Sequence, residues 1–153
     1  MSRIRLGCLV SFAILLLESI TPLAPNSAAQ GHDPIVMVVN KVNATTSIGK
    51  PEAKKLLLGT TGSWADGKKV IVVLRPLASA DRAVLLQDIC GMTEAEFTRY
   101  EMQTMFTGRV PVKTQEEPSS IAIKAFVKAN PGAVGFLHES EVDKDVKTIL
   151  TVQ

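Results

Sequence analysis

Cysteine and aromatic residues are scarce in this chain: two Cys, one Trp, one Tyr and five Phe among 153 residues. Cys8 lies in an N-terminal segment set apart below, which leaves Cys90 alone and excludes an internal disulfide or a cysteine-ligated metal. Histidine is as scarce, with only His32 and His138. No Ser, Cys or Asp stands in a nucleophile-elbow pattern, and no His, Asp and Glu share metal-ligand spacing, so no enzyme activity and no cofactor is expected. A dominant charge is missing too, since 17 basic and 15 acidic residues give a net charge of +2. No Lys/Arg cluster interleaves with aromatics, which excludes nucleic acid as a partner. Internal repeats and low-complexity tracts are absent.

Residues 1–29 read as an export signal. Arg3 and Arg5 precede the apolar run Leu9 to Leu17, and Ser27 and Ala29 supply small side chains for cleavage after Ala29. Glu18, Pro22 and Pro25 cut the run below the roughly 20 residues that a spanning helix needs. The expectation is a periplasmic or secreted protein whose residues 30–153 form a single domain with one core. Without residues 1–29, 15 basic and 14 acidic residues remain, close to neutrality.

Strands and helices then alternate. Ile35 to Val39 and Val70 to Leu74 are continuous apolar runs, as in strands covered on both faces. Glu52 to Leu58 reads as a short helix behind Pro51, with Gly59 as its stop. Ser79 is the expected N-cap of a helix running to Cys90, with Gly91 ending it and Cys90 buried on its apolar face. Thr93 and Glu96 form a capping box for a helix that turns Phe97, Tyr100 and Met105 inward. A short strand is expected over Val110 to Lys113. A helix opening at Pro118 to Ser120 should bury Ile121, Ala122, Ala125, Phe126 and Ala129. Strands Ala133 to Leu137 and Val146 to Val152 close the series around the charged turn Glu139 to Asp145. That order predicts an α/β domain, a mixed sheet flanked by helices, with Trp64 packed at a turn beside the second strand.

Arg75 falls where open α/β sheets bind ligands, at the C-terminal end of a strand just before a helix. Its guanidinium offers a fixed fork of donors, and Ser79 adds a hydroxyl beside free helix amides, a combination suited to a tetrahedral oxyanion. Asp81 argues the other way, because its carboxylate complements the helix dipole and repels an anion. Arg75 is therefore open to two readings, an anion-binding residue or the partner of Asp81 or a neighbouring acid. The alternating Glu139, Glu141, Asp143 and Asp145 lack the central glycine and final glutamate of a calcium loop and read as a solvated turn. His138 reads as a surface histidine or one that supports a neighbouring group.

LLLGTTGSWADGKKVIVVLRP, SADRAVLLQDICGMTEAEFTRYEMQTMFTGR and KANPGAVGFL together resemble the phosphate ABC-transporter substrate-binding-like proteins of the periplasmic type II binding-protein superfamily. The succession is Val39-Asn40, Leu58-Gly59, Trp64 with Asp66-Gly67, Arg75, Phe106 to Gly108, and Pro131 to Phe136. The resemblance implies a non-enzymatic solute-binding protein, working with an ABC transporter on phosphate or another small anion. It also implies two lobes closing on the ligand, of which 124 residues make about one. The binding stretch Arg-Ser-Asp-Gly-Ser-Gly-Thr of such proteins is here Arg75, Pro76, Leu77, Ala78, Ser79, Ala80 and Asp81, so only Arg75 and Ser79 match. These two are the candidate ligand residues. The lost signature supports an alternative function, a non-catalytic interaction module that docks on a membrane transporter or sensor. A homodimer of two lobes is open in either case.

Overall fold

The computed structural model describes residues 33–107 and 112–152. The export signal, His32 and the stretch Gly108 to Pro111 lie outside the described residues. Among the described residues, five strands form one mixed sheet in the order β3-β2-β4-β1-β5. β1 (Ile35–Asn40) is antiparallel to both neighbours, β4 (Ala133–His138) and β5 (Val146–Val152). β2 (Ile71–Leu74) lies parallel between β3 (Lys113–Glu116) and β4.

Apolar runs without alternation become interior strands because helices cover both faces of the sheet. On one face, Met37, Val39, Val72, Leu74, Val134 and Phe136 pack with residues of α1 (Lys50–Leu57), α2 (Ala80–Leu85) and α3 (Glu94–Phe106). On the other, Val36, Val38, Val73 and Leu137 meet Ile123 and Val127 of α4 (Ser120–Ala129). Val36, Met37, Val38 and Val39 are all at 0 % exposure, and each such side chain contributes about 1.5–3 kcal/mol by leaving water. The α/β layering and the buried interior strand β2 agree with the sequence reading, and Trp64 is packed as expected. Its Nε1 donates to the Gly132 carbonyl oxygen at 2.9 Å.

Local signals set the helix ends. Gly49 caps α1, Pro51 lies in its first turn, and Gly59 follows it at φ +69°. α2 continues into a π-helical turn, Leu86–Cys90, which Gly91 ends at φ +67°. Thr93 Oγ1 accepts from the Glu96 amide, and the Thr93 amide donates to the Glu96 carboxylate at 2.7 Å, completing the capping box of α3. Asn40, buried at the end of β1, donates from Nδ2 to the carbonyls of Val127 and Lys128 and so closes the C-terminal turn of α4.

Three expectations are corrected. α4 does not bury Ile121, Ala122, Ala125, Phe126 and Ala129 as its inner face; it buries Ser120, Ile123 and Val127 and leaves Ile121 77 % exposed. IAIKAFVKA is apolar on most of its circumference, so periodicity alone leaves the phase of the helix undetermined. Met105 is exposed on α3, where Phe97 is the buried residue; Tyr100 is half-buried and donates to the Leu58 carbonyl. Finally, the short strand lies at Lys113–Glu116 rather than Val110 to Lys113. As an edge strand it presents polar side chains and pairs through its backbone, so it has no apolar signature.

Candidate functional site

The parallel strands β2, β3 and β4 end side by side, and the residues that follow them meet at one edge of the sheet. Arg75 comes directly after β2, Pro118 and Ser120 follow β3, and His138 ends β4. Asp33 lies just before β1, whose Ile35 is in register with His138. Ligands of open α/β sheets bind in such a crevice, beyond the carboxyl ends of the strands.

Arg75 makes most of its contacts here. Its Nη2 donates to Ser120 Oγ at 2.6 Å and its Nη1 to the Pro118 carbonyl at 3.2 Å. Its Nε lies 3.8 Å from Asp81 Oδ2, and its Nη2 lies 3.9 Å from Glu141 Oε2. The Ser120 hydroxyl donates in turn to Glu141. Partial burial works against the Glu141 carboxylate, but the Ser120 hydroxyl, the His138 amide and Arg75 outweigh it and hold its pKa below the ordinary value. Sequence reasoning anticipated Asp81 as a partner of Arg75 and missed Ser120 and Glu141.

His138 extends the network. Its Nδ1 lies 3.0 Å from the Asp33 carbonyl oxygen, which fixes Nδ1 as the donor, and its Nε2 lies 3.4 Å from Asp81 Oδ1. The hydrogen bond to that carbonyl raises the imidazole pKa; partial burial opposes it, and Asp81, Asp33 and Glu141 reinforce it. Asp81 therefore holds one carboxylate oxygen toward Arg75 and the other toward His138.

Beneath this layer lies Arg82, which sequence reasoning also missed. Its side chain is 3 % exposed and pairs with Glu94 at 2.8 Å and Glu116 at 2.7 Å. The signal for it was available only in retrospect: a charged residue on the face of α2 that also carries the buried Leu85. Arg75, Asp81 and Arg82, with Ile35, Leu85, Phe136 and Leu137, line a cavity of about 10 Å³, roughly the space of one water. Ser79 is the N-cap of α2, as expected, but its hydroxyl makes no capping hydrogen bond and does not line this cavity. Ala78, at the fourth position of the seven-residue stretch, adopts φ +68°, a conformation glycine favours.

The acidic turn is neutralised from α4. Lys124 pairs with Asp143 at 2.9 Å and Lys128 with Asp145 at 2.8 Å. Among the described residues, no group of three or more His, Cys, Asp or Glu is placed to hold a metal ion.

No protein-family model matches the chain. The phosphate-binding protein PstS of Bacillus subtilis (strain 168) is 30 % identical over 118 residues, which are 74 % of this chain and 34 % of that protein. Among solved structures, an ABC-type phosphate transport receptor from Vibrio cholerae superposes with a TM-score of 0.61 at 23 % identity, over 76 % of this chain and 45 % of the receptor. This chain has part of the fold of the phosphate-transport receptors. PstS from Borrelia burgdorferi shares that fold at 12 % identity, with a TM-score of 0.60 over 76 % of this chain and 46 % of that one. The resemblance read from the sequence is thus met in three dimensions, by a mixed sheet with flanking helices that makes up part of the receptor fold. The chain spans less than half the length of each of these phosphate receptors.

Proposed function

We propose that the protein is a non-catalytic binding lobe of the phosphate-receptor kind, which takes a small oxyanion at the crevice of Arg75 and Ser79 in association with an ABC transporter. The observation that carries this reading is the position of Arg75, a half-buried guanidinium at the mouth formed by three parallel strand ends. Export to the periplasm or beyond, with residues 30–153 as the working domain, belongs to the same proposal. Mass spectrometry of the exported protein should then find its N-terminus near Gln30.

Affinity follows from the geometry. Two-lobed closure excludes water and strengthens every charge-assisted bond, whereas one lobe leaves the anion half hydrated and Asp81 competes for Arg75. Phosphate binding should be no tighter than about millimolar, or about −4 kcal/mol. Titration calorimetry on the unaltered chain, Arg75→Ala and Asp81→Thr tests this: the first variant should weaken binding and the second should improve it.

A second reading, the docking module, is favoured by a different observation. Arg75 already has partners within the protein, while Met102, Met105 and Phe106 at the end of α3 are 53–89 % exposed. Their i, i+3 and i+4 spacing sets the three on one side of the helix, and an exposed apolar patch is characteristic of interaction sites. Absence of binding in all three titrations would give this reading first place.

A further inference from the structure

The carboxylate of Asp81 sits between two basic side chains at the ends of different strands. Arg75 approaches one oxygen from the end of β2, and His138 approaches the other from the end of β4. A negatively charged group held between a guanidinium and an imidazole marks a position suited to an anion. We propose that Asp81 fills the place of a tetrahedral oxyanion in this crevice and that His138 Nε2 is the second donor to that anion, so that uptake strengthens in acid. The inference rests on the binding reading above and supplies its missing donor and its pH response.

The tautomer follows from the partners. Asp33 offers a carbonyl oxygen to Nδ1, so the Nδ1 proton is committed, and Nε2 carries a proton only when the ring is charged. Neutral His138 therefore turns a lone pair toward the anion position, while charged His138 turns an N–H toward it. The groups facing the ring are Asp33 from the segment before β1, Asp81 from α2 and Glu141 from the turn after β4. All three favour the charged form. Arg75 faces Asp81 and Glu141 and supplies the opposite wall. Asp81 is itself partly solvent-exposed, so an arriving anion can displace its side chain toward water without disturbing the core.

Sulfate is the suitable probe, because its charge stays constant where histidine titrates. Titration calorimetry on the full chain would compare the unaltered protein, Asp81→Asn, and Asp81→Asn combined with either His138→Gln or Arg75→Ala. Asp81→Asn should bind sulfate more tightly than the unaltered chain, and about tenfold more tightly near pH 5.5 than near pH 8. Adding His138→Gln should flatten that dependence, and adding Arg75→Ala should abolish binding. The imidazole signal of His138 in the Asp81→Asn chain provides a second readout, in which sulfate should raise the pH at which the ring titrates. Sulfate binding with no pH dependence, or with a His138 signal indifferent to sulfate, would overturn the role of His138 and leave the binding reading standing. Failure of every chain to bind sulfate at either pH would overturn both.

Discussion

Arg82 Nη1 donates a 3.0 Å hydrogen bond to the carbonyl oxygen of Arg75, so the buried arginine fixes the backbone from which the crevice arginine projects. The same guanidinium binds Glu94 and Glu116 and thereby ties α2 to α3 and β3. Arg82→Met would leave both carboxylates without their cation. The loss should be about 2–3 kcal/mol, below the usual figure for a broken buried pair because both acids keep contact with solvent. Arg82→Lys should rescue little, since one ammonium cannot match a planar fork of donors. Urea midpoints of the two variants check this, and an Arg82→Lys chain as stable as the original would count against it.

Ala78 carries strain that one substitution can relieve. An L-residue in the left-handed region costs about 1–2 kcal/mol, and part of the relief is lost to the extra freedom of glycine in the unfolded chain. Ala78→Gly should therefore stabilise the fold by about 0.5–1 kcal/mol. Thermal melting would register this as an upward shift, and a downward shift would contradict the backbone geometry at the entrance to α2.

Gly132 is a position of close approach. A Cβ there would stand 2.1 Å from the Lys69 carbonyl oxygen, a backbone atom that cannot turn aside. The same glycine accepts the Trp64 indole bond and a hydrogen bond from the Ile71 amide. Gly132→Ala should destabilise by about 3 kcal/mol, at the upper end of overpacking effects. Trp64→Phe keeps most of the packing and should cost only about 1–2 kcal/mol, with the Gly132 carbonyl losing its donor. The ranking of the two variants in chemical denaturation tests the pair.

Cys90 provides a pH-dependent signature. Burial pushes its thiol up to about 11, only partly offset by Lys54. In the unfolded chain the thiol ionises near its ordinary value of 9.0, so above that pH the unfolded state releases a proton that the native state keeps. Stability should therefore fall as pH rises from about 9 toward about 11. Peptide mapping after iodoacetamide treatment should find Cys90 unmodified in the native protein at pH 8 and modified in urea.

The strands with apolar runs, the capping box at Thr93 and Glu96, and the glycine stops at Gly59 and Gly91 were legible because each signal is local and its physics is carried by neighbouring residues. Of the residues that meet at the crevice, only Arg75 and Asp81 were legible; Ser79, the other candidate, caps α2 without lining the cavity. Ser120 is 45 positions from Arg75, and His138 meets a carbonyl 105 positions away. Their proximity is created by strand order, which no window of sequence contains. Ser120 shows the cost of that blindness: a buried serine spoils an apolar helix face, yet its burial is explained once Arg75 and Glu141 are seen on either side of it. Arg82 escaped for the same reason, since a charged side chain on a short helix reads as solvated until its acceptors are in place.

Strand β1, the first of the described strands, is seated between β4 and β5, the last two. Its backbone partners are about a hundred residues away along the chain, so the most buried strand is also the one whose partners are synthesised last. Sheets built on such distant pairings fold slowly, because a long loop must close before any pairing rewards it. During synthesis, the emerging β1 would carry Val36 to Val39 unpaired until β4 and β5 arrive, and would be the natural segment for a chaperone to hold.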